Sequence, residues 1–250
     1  MSISKKIISE IKNTLENTAP TLTKDQIERR DKIINSDNPN SKGYGHKIAE
    51  IEKIVKNIKN KYQSLYKDAV EVFKNLVSSD IHEEKFAAVF FLNLFKKDFN
   101  TNTINLFHDE FKKYCDCWAI CDSTMIRVVG PFLSKKGNED LAKETIDNWS
   151  ISEDMWIRRA SMVILLKIIM LRKDFFISES YMFDLVEKML LYDEDYILKG
   201  VGWLLKTYSK YKPEAIIEYL KKNNKRLPRL VLRYASEKLP KGTRANLLKK

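Results

Sequence analysis

Apolar residues in this chain fall in runs spaced three and four apart, the rhythm of a helix. No stretch alternates apolar and polar residues between turn dipeptides as a strand would. Five runs share one layout: "KFAAVFFLNLFKK" (85–97), "TMIRVVGPFLSKK" (124–136), "MWIRRASMVILLKI" (155–168), "YILKGVGWLLKTYSK" (196–210) and "PRLVLRYASEKLPK" (228–241). Each combines a bulky residue, small or basic residues, an apolar helical face and a lysine-rich end. They recur about every 30 to 40 residues, the period of two-helix solenoid repeats of the HEAT type. In such repeats each unit buries its apolar face on its neighbours, and the second helix of each pair lines the inner surface. The expected fold is all-α: a right-handed α-solenoid of HEAT-like repeats with a concave basic groove.

Helix start signals support this reading. "TKDQ" (Thr23–Gln26) and "DIHE" (Asp80–Glu83) have the spacing of capping boxes, Ser152 and Ser178 stand just before apolar periodic runs, and Pro213 suits a first helical position. Seven glycines and six prolines in 250 residues leave few tight turns, so the pattern predicts about a dozen helices of roughly 10 to 17 residues. "NSDNPNSKGYGHK" (Asn35–Lys47) is the one stretch rich in turn residues and reads as a loop between N-terminal helices (1–40) and a repeat array (41–250). The N-terminal helices are too few to build their own core, so a single domain is expected.

Charge changes the picture from a bare scaffold to one with a partner. Lys plus Arg number 45 against 34 for Asp plus Glu, giving +11 and a pI near 9.3, which favours a polyanion such as nucleic acid. The longest apolar run, "ASMVILLKIIML", is broken by Lys167 and is too short for a membrane span, and the N-terminus lacks the apolar core of a secretory signal. Three cysteines do not make a disulfide framework. These features predict a cytoplasmic protein, nucleoid-associated when bound to DNA, with no membrane partner.

Most familiar chemistry is missing from the residues. Cys115, Cys117, Cys121 and His108 lack zinc-knuckle spacing and read as packing residues, so no metal is expected. His46, His82 and His108 are scattered, and neither "GxxxxGK" nor "GxGxxG" occurs. What remains is a recurring pairing of indole and charge. Trp118 and Asp122 are spaced i, i+4, Trp156 and Arg159 i, i+3 with Arg158 adjoining, and Trp203 and Lys206 i, i+3. Repeat geometry would bring these onto one wall, where indole faces stabilise a cation, a carboxylate supports an oxocarbenium centre and arginine grips phosphate.

"CWAICD", "WIRRA", "GVGWLLKTYSK" and "LPRLVLRYASEKL", in this order over about residues 40 to 240, resemble the DNA alkylation repair glycosylases of the HEAT-like, AlkD type. The resemblance implies a curved all-helical protein, acting as a monomer on double-stranded DNA containing alkylated bases. It implies cleavage of the N-glycosidic bond of N3- and N7-alkylated purines without metal or cofactor. By motif, Asp122 would support the sugar cation and position water, Trp118 and Trp203 would pack on the deoxyribose and the lesion-bearing strand, and Arg159 would hold the adjacent phosphate. Arg158, Lys206, Arg229, Arg233, Tyr44 and Lys47 would contact DNA. The loop "GYGHKIAEIEK" keeps Tyr44, Gly45 and Lys47 but has Ala49 and Glu52 where the family usually has proline and arginine.

Two other classes remain open on the residues alone. One is a non-catalytic relative that binds nucleic acid through the same groove; the other is a HEAT-type protein-interaction scaffold.

Overall fold

The computed structural model describes residues 1–34, 38–172, 174 and 176–249. The first three positions of the expected Asn35–Lys47 loop lie outside the described residues. Among the described residues the structure is helical, with a single isolated bridge between Lys42 and Ile81. The chain divides into two compact units, Met1–Thr124 and Met125–Lys250.

The first unit holds α1 (Ile3–Asn17), α2 (Lys24–Ile34), α3 (Ile48–Lys61), α4 (Tyr66–Val77), α5 (His82–Asn93), α6 (Thr101–Tyr114) and α7 (Trp118–Thr124). At its centre is α5, which packs on α3 and α4 and is buried continuously from Glu83 to Leu92. A helix apolar all round belongs in an interior, and "FAAVFFL" is such a sequence. Ile7, Ile11 and Leu15 of α1 close the same core against α3 and α4. By contrast α2 is polar and buries only Ile34.

The second unit begins with a π-helical turn (Met125–Val129), followed by α8 (Gly130–Leu133), α9 (Glu139–Ser150), α10 (Met155–Leu171), α11 (Glu179–Met189), α12 (Asp195–Tyr208), α13 (Pro213–Asn223), α14 (Arg229–Ala235) and α15 (Lys241–Leu248). The helices pair as α9/α10 and α11/α12, and α12 lies between α10 and α14. This is the stacking that the repeat period predicts. Two glycines let α12 approach both neighbours: a Cβ at Gly200 would lie 2.7 Å from Met162 Cε of α10, and one at Gly202 would overlap Tyr234 Cβ of α14.

The helix starts are partly as expected. Thr23 and Gln26 form the reciprocal box, Thr23 N donating to Gln26 Oε1 (2.8 Å) and Gln26 N to Thr23 Oγ1 (3.3 Å). Ser178 caps α11 and Pro213 opens α13. The other two shift. Asp154 caps α10 in place of Ser152, which instead accepts from Asp154 N. In "DIHE" no box forms, because the Glu83 carboxylate serves a distant loop.

The dozen helices of 10 to 17 residues become fifteen α-helical segments of 4 to 17 residues and one π-helical turn among the described residues. The excess arises largely at 118–133, which sequence presents as one run. Pro131 donates no N–H, and its ring crowds the carbonyl four residues back, that of Arg127. The wider winding upstream lets carbonyls pair five residues on instead.

Candidate functional site

Helix α7 is short and packs on α5 and α2. Cys121 N donates to the Cys117 carbonyl (3.3 Å), closing the first turn. Asp122 is the fifth helical residue, beyond the N-cap and first turn, so it does not cap its own helix. Its side chain is nearly enclosed, the residue being 8% exposed. Trp118, one turn earlier on the same face, is half-buried. With Ala119 and Ser123 it lines a cleft of about 440 Å³ whose other walls come from α2, the 45–51 segment and the first turn of α5. Asp122 itself does not line that cleft.

The loop facing Trp118 across this cleft is held by buried charge. Glu83 accepts the backbone N–H groups of Tyr44 (2.9 Å) and Gly45 (2.6 Å), one on each oxygen. Arg30 of α2 donates to the Gly43 carbonyl (2.6 Å). Gly45 has φ +97°, and a Cβ there would lie 2.5 Å from Leu22 Cδ1, so only glycine fits. Tyr44 meets His46 edge to face, and burial pushes its phenol above the usual range. Lys47 stands at the N-cap position of α3, its backbone N–H donating to Glu50 while its side chain is exposed.

His82 opens α5, 3.8 Å from Cys117 Sγ and edge-on to Phe86. Burial pulls its pKa down to about 4, so it is neutral at physiological pH. Burial likewise pushes the Cys117 thiol up to about 12. Among the described residues the cysteines form no disulfide, and no cluster of potential ligands is suited to a metal ion.

In the second unit, Trp156 is buried with its ring 5.0 Å from that of Tyr196. Arg158 is committed internally: Nη1 donates to the carbonyls of Ser152 and Glu153 (2.8 Å each), Nη2 pairs with Glu194, and the guanidinium stacks over Tyr192 at 4.1 Å. It thereby staples the α9–α10 turn to the α11–α12 turn. Arg159, 5% exposed, donates from Nη1 to the Tyr196 carbonyl in the first turn of α12. On α12, Trp203 is half-buried and Lys206 pairs with Glu237 at 3.1 Å. Arg233 and Arg229 of α14 are exposed, and Arg229 Nη1 donates to the Leu248 carbonyl (2.9 Å).

The structure therefore brings Trp118 and Asp122 onto one turn-spaced face in the first unit, and sets Arg159 against α12, the helix of Trp203, in the second. Sequence reasoning missed Glu83, Lys85 and Asp116. The available signal was a run of charges, "HEEK", directly ahead of a fully apolar segment.

An all-helical protein of stacked helix pairs, carrying an enclosed carboxylate beside an indole and an excess of cationic side chains, has the makings of a nucleic-acid-processing protein. Residues 11–239 match the DNA alkylation repair enzyme family, and the chain belongs to that family. A solved structure titled "Predicted DNA alkylation repair enzyme from Enterococcus faecalis" is similar over 90% of this chain and 100% of its own, with a TM-score of 0.73 and 15% identity. At that identity the likeness shows the shared helical fold. No curated protein matches the sequence.

Proposed function

We propose that this protein is a DNA glycosylase that excises N3- and N7-alkylated purines from duplex DNA by hydrolysing the N-glycosidic bond, opening base excision repair. The reading is carried by Asp122: a nearly enclosed carboxylate past the first turn of α7, one turn from the Trp118 indole, in a chain of this family. An alkylated purine already bears positive charge and leaves without a general acid, so one carboxylate replaces the usual pair. Asp122 supports the sugar cation as the base departs and orients the attacking water. Trp118 and Trp203 pack on the deoxyribose and the damaged strand, and Arg159 holds the neighbouring phosphate. The exposed Arg229, Arg233 and Lys47, with Lys206 and Tyr44, contact the duplex, while Arg158 supports the turns beside Arg159. Because the leaving group is cationic, the reaction needs no metal or cofactor.

The test is release of 7-methylguanine and 3-methyladenine from an alkylated duplex. Loss of a charge-stabilising group of this kind lowers the rate about 10²- to 10³-fold, the expectation for Asp122→Asn. Equal release by variant and wild type, or none by either, would refute the reading.

A further inference from the structure

We propose that Lys85 and Asp116 form a positioning pair that fixes α7, and with it Trp118 and Asp122, for base release. This inference rests on the glycosylase reading above. Lys85 sits in the first turn of α5, where a cation faces the positive end of the helix dipole, and it is only 4% exposed. A lysine in that position is unfavourable unless its ammonium is paired. It is paired twice at the three-residue linker Cys115–Cys117 between α6 and α7: Nζ donates to the carbonyl of Tyr114, the last residue of α6 (2.8 Å), and to Oδ2 of Asp116, the middle residue of the linker (2.6 Å).

The same Asp116 oxygen accepts from Ser41 Oγ (3.0 Å) and Asn38 Nδ2 (3.2 Å). One carboxylate thus joins three segments: the buried α5, the 38–41 segment, and the linker two residues ahead of Trp118. Glu83, on the same turn of α5, holds Tyr44 and Gly45, so the loop that walls the cleft and the helix that carries the carboxylate are referenced to one rigid element. Helix α7 begins directly after this linker, so the direction in which its first turn, and Trp118 with it, leaves the linker is set by what holds Asp116. The pair supplies that orientation, and displacement of a reacting group by about 1 Å is enough to cost on the order of 10²-fold in rate.

Asp116→Asn keeps an oxygen acceptor for Ser41 and Asn38 but removes the charge. At saturating protein and well below the unfolding temperature, it should slow 7-methylguanine release about tenfold or more while affinity for the alkylated duplex stays unchanged. Alkylation of native Cys117 by iodoacetamide, mapped by mass spectrometry, should accelerate several-fold as the linker loosens. Ser41→Ala, which leaves the ion pair intact, should shift both readouts in the same direction by a smaller factor and serves where Asp116→Asn does not fold. Unchanged base release in a folded variant, or a fall in affinity that accounts for the slowing, overturns the inference. If the wild type releases no base, the glycosylase reading fails, and Cys117 labelling alone decides the pair: faster labelling supports it and unchanged labelling overturns it.

Discussion

Replacing Gly202 with alanine tests how closely α12 and α14 pack. A methyl group there would overlap Tyr234 Cβ and lie 3.3 Å from both Tyr234 Cγ and the Val231 carbonyl oxygen. Tyr234 Cβ moves only with its backbone, so no rotamer change relieves the overlap. Restoring carbon–carbon separations of 3.5 to 4.0 Å requires α14 to retreat by about 1 Å. Overpacking of this size costs about 1–3 kcal/mol. Alanine's better helix propensity returns about 0.8–1 kcal/mol, leaving a net loss of up to about 2 kcal/mol. At about 2–4 °C per kcal/mol for a chain of this length, this lowers the melting temperature by up to roughly 8 °C. Urea and thermal unfolding followed by circular dichroism measure it. Gly242→Ala in α15, where nothing lies within 4 Å of the added carbon, is the matched control and should be neutral or slightly stabilising. A Gly202→Ala protein as stable as the Gly242→Ala control would refute the close-approach reasoning.

Other outcomes follow from the first unit. The folded His82 pKa of about 4 lies below the ordinary 6.5, so the unfolded chain binds the extra proton; its contribution is present above pH 6.5 and is lost as pH falls toward 4. The loss is on the order of 3 kcal/mol, and urea titrations should show a steeper acid fall in wild type than in His82→Asn; parallel profiles would contradict the burial argument. Gly45→Ala places a side chain at φ +97° against Leu22 and should cost about 1–2 kcal/mol or more in urea unfolding, with an unchanged midpoint counting against the loop geometry.

The sequence was most legible where structure is decided locally. Caps at Thr23 and Ser178 and the proline opening α13 depend on groups within one turn, and each of the five similar apolar runs contains helical segments with buried residues. It was least legible where a residue answers to distant chain. Glu83 reads as a capping residue until the Tyr44–Gly45 backbone, 38 and 39 positions upstream, takes both its oxygens. Lys85 reads as one more basic residue beside an apolar face, and its burial becomes sensible only with Asp116, 31 positions away. The break at 125–129 follows from Pro131, a signal that was present but was masked by the continuous apolar pattern. For the candidate site, the i, i+4 spacing of Trp118 and Asp122 was readable, whereas the commitment of Arg158 to two turns and Glu194 was not.

The buried thiol of Cys117 has a consequence for survival in the conditions that call such a protein into use. Methylating agents that damage DNA also attack thiolates, the most nucleophilic groups a protein offers. With its pKa pushed up to about 12, Cys117 is thiolate in roughly one molecule in 10⁵ at pH 7. A reactive cysteine one residue before Trp118 would be a target for such agents; the packing that buries this sulfur keeps it protonated and out of their reach.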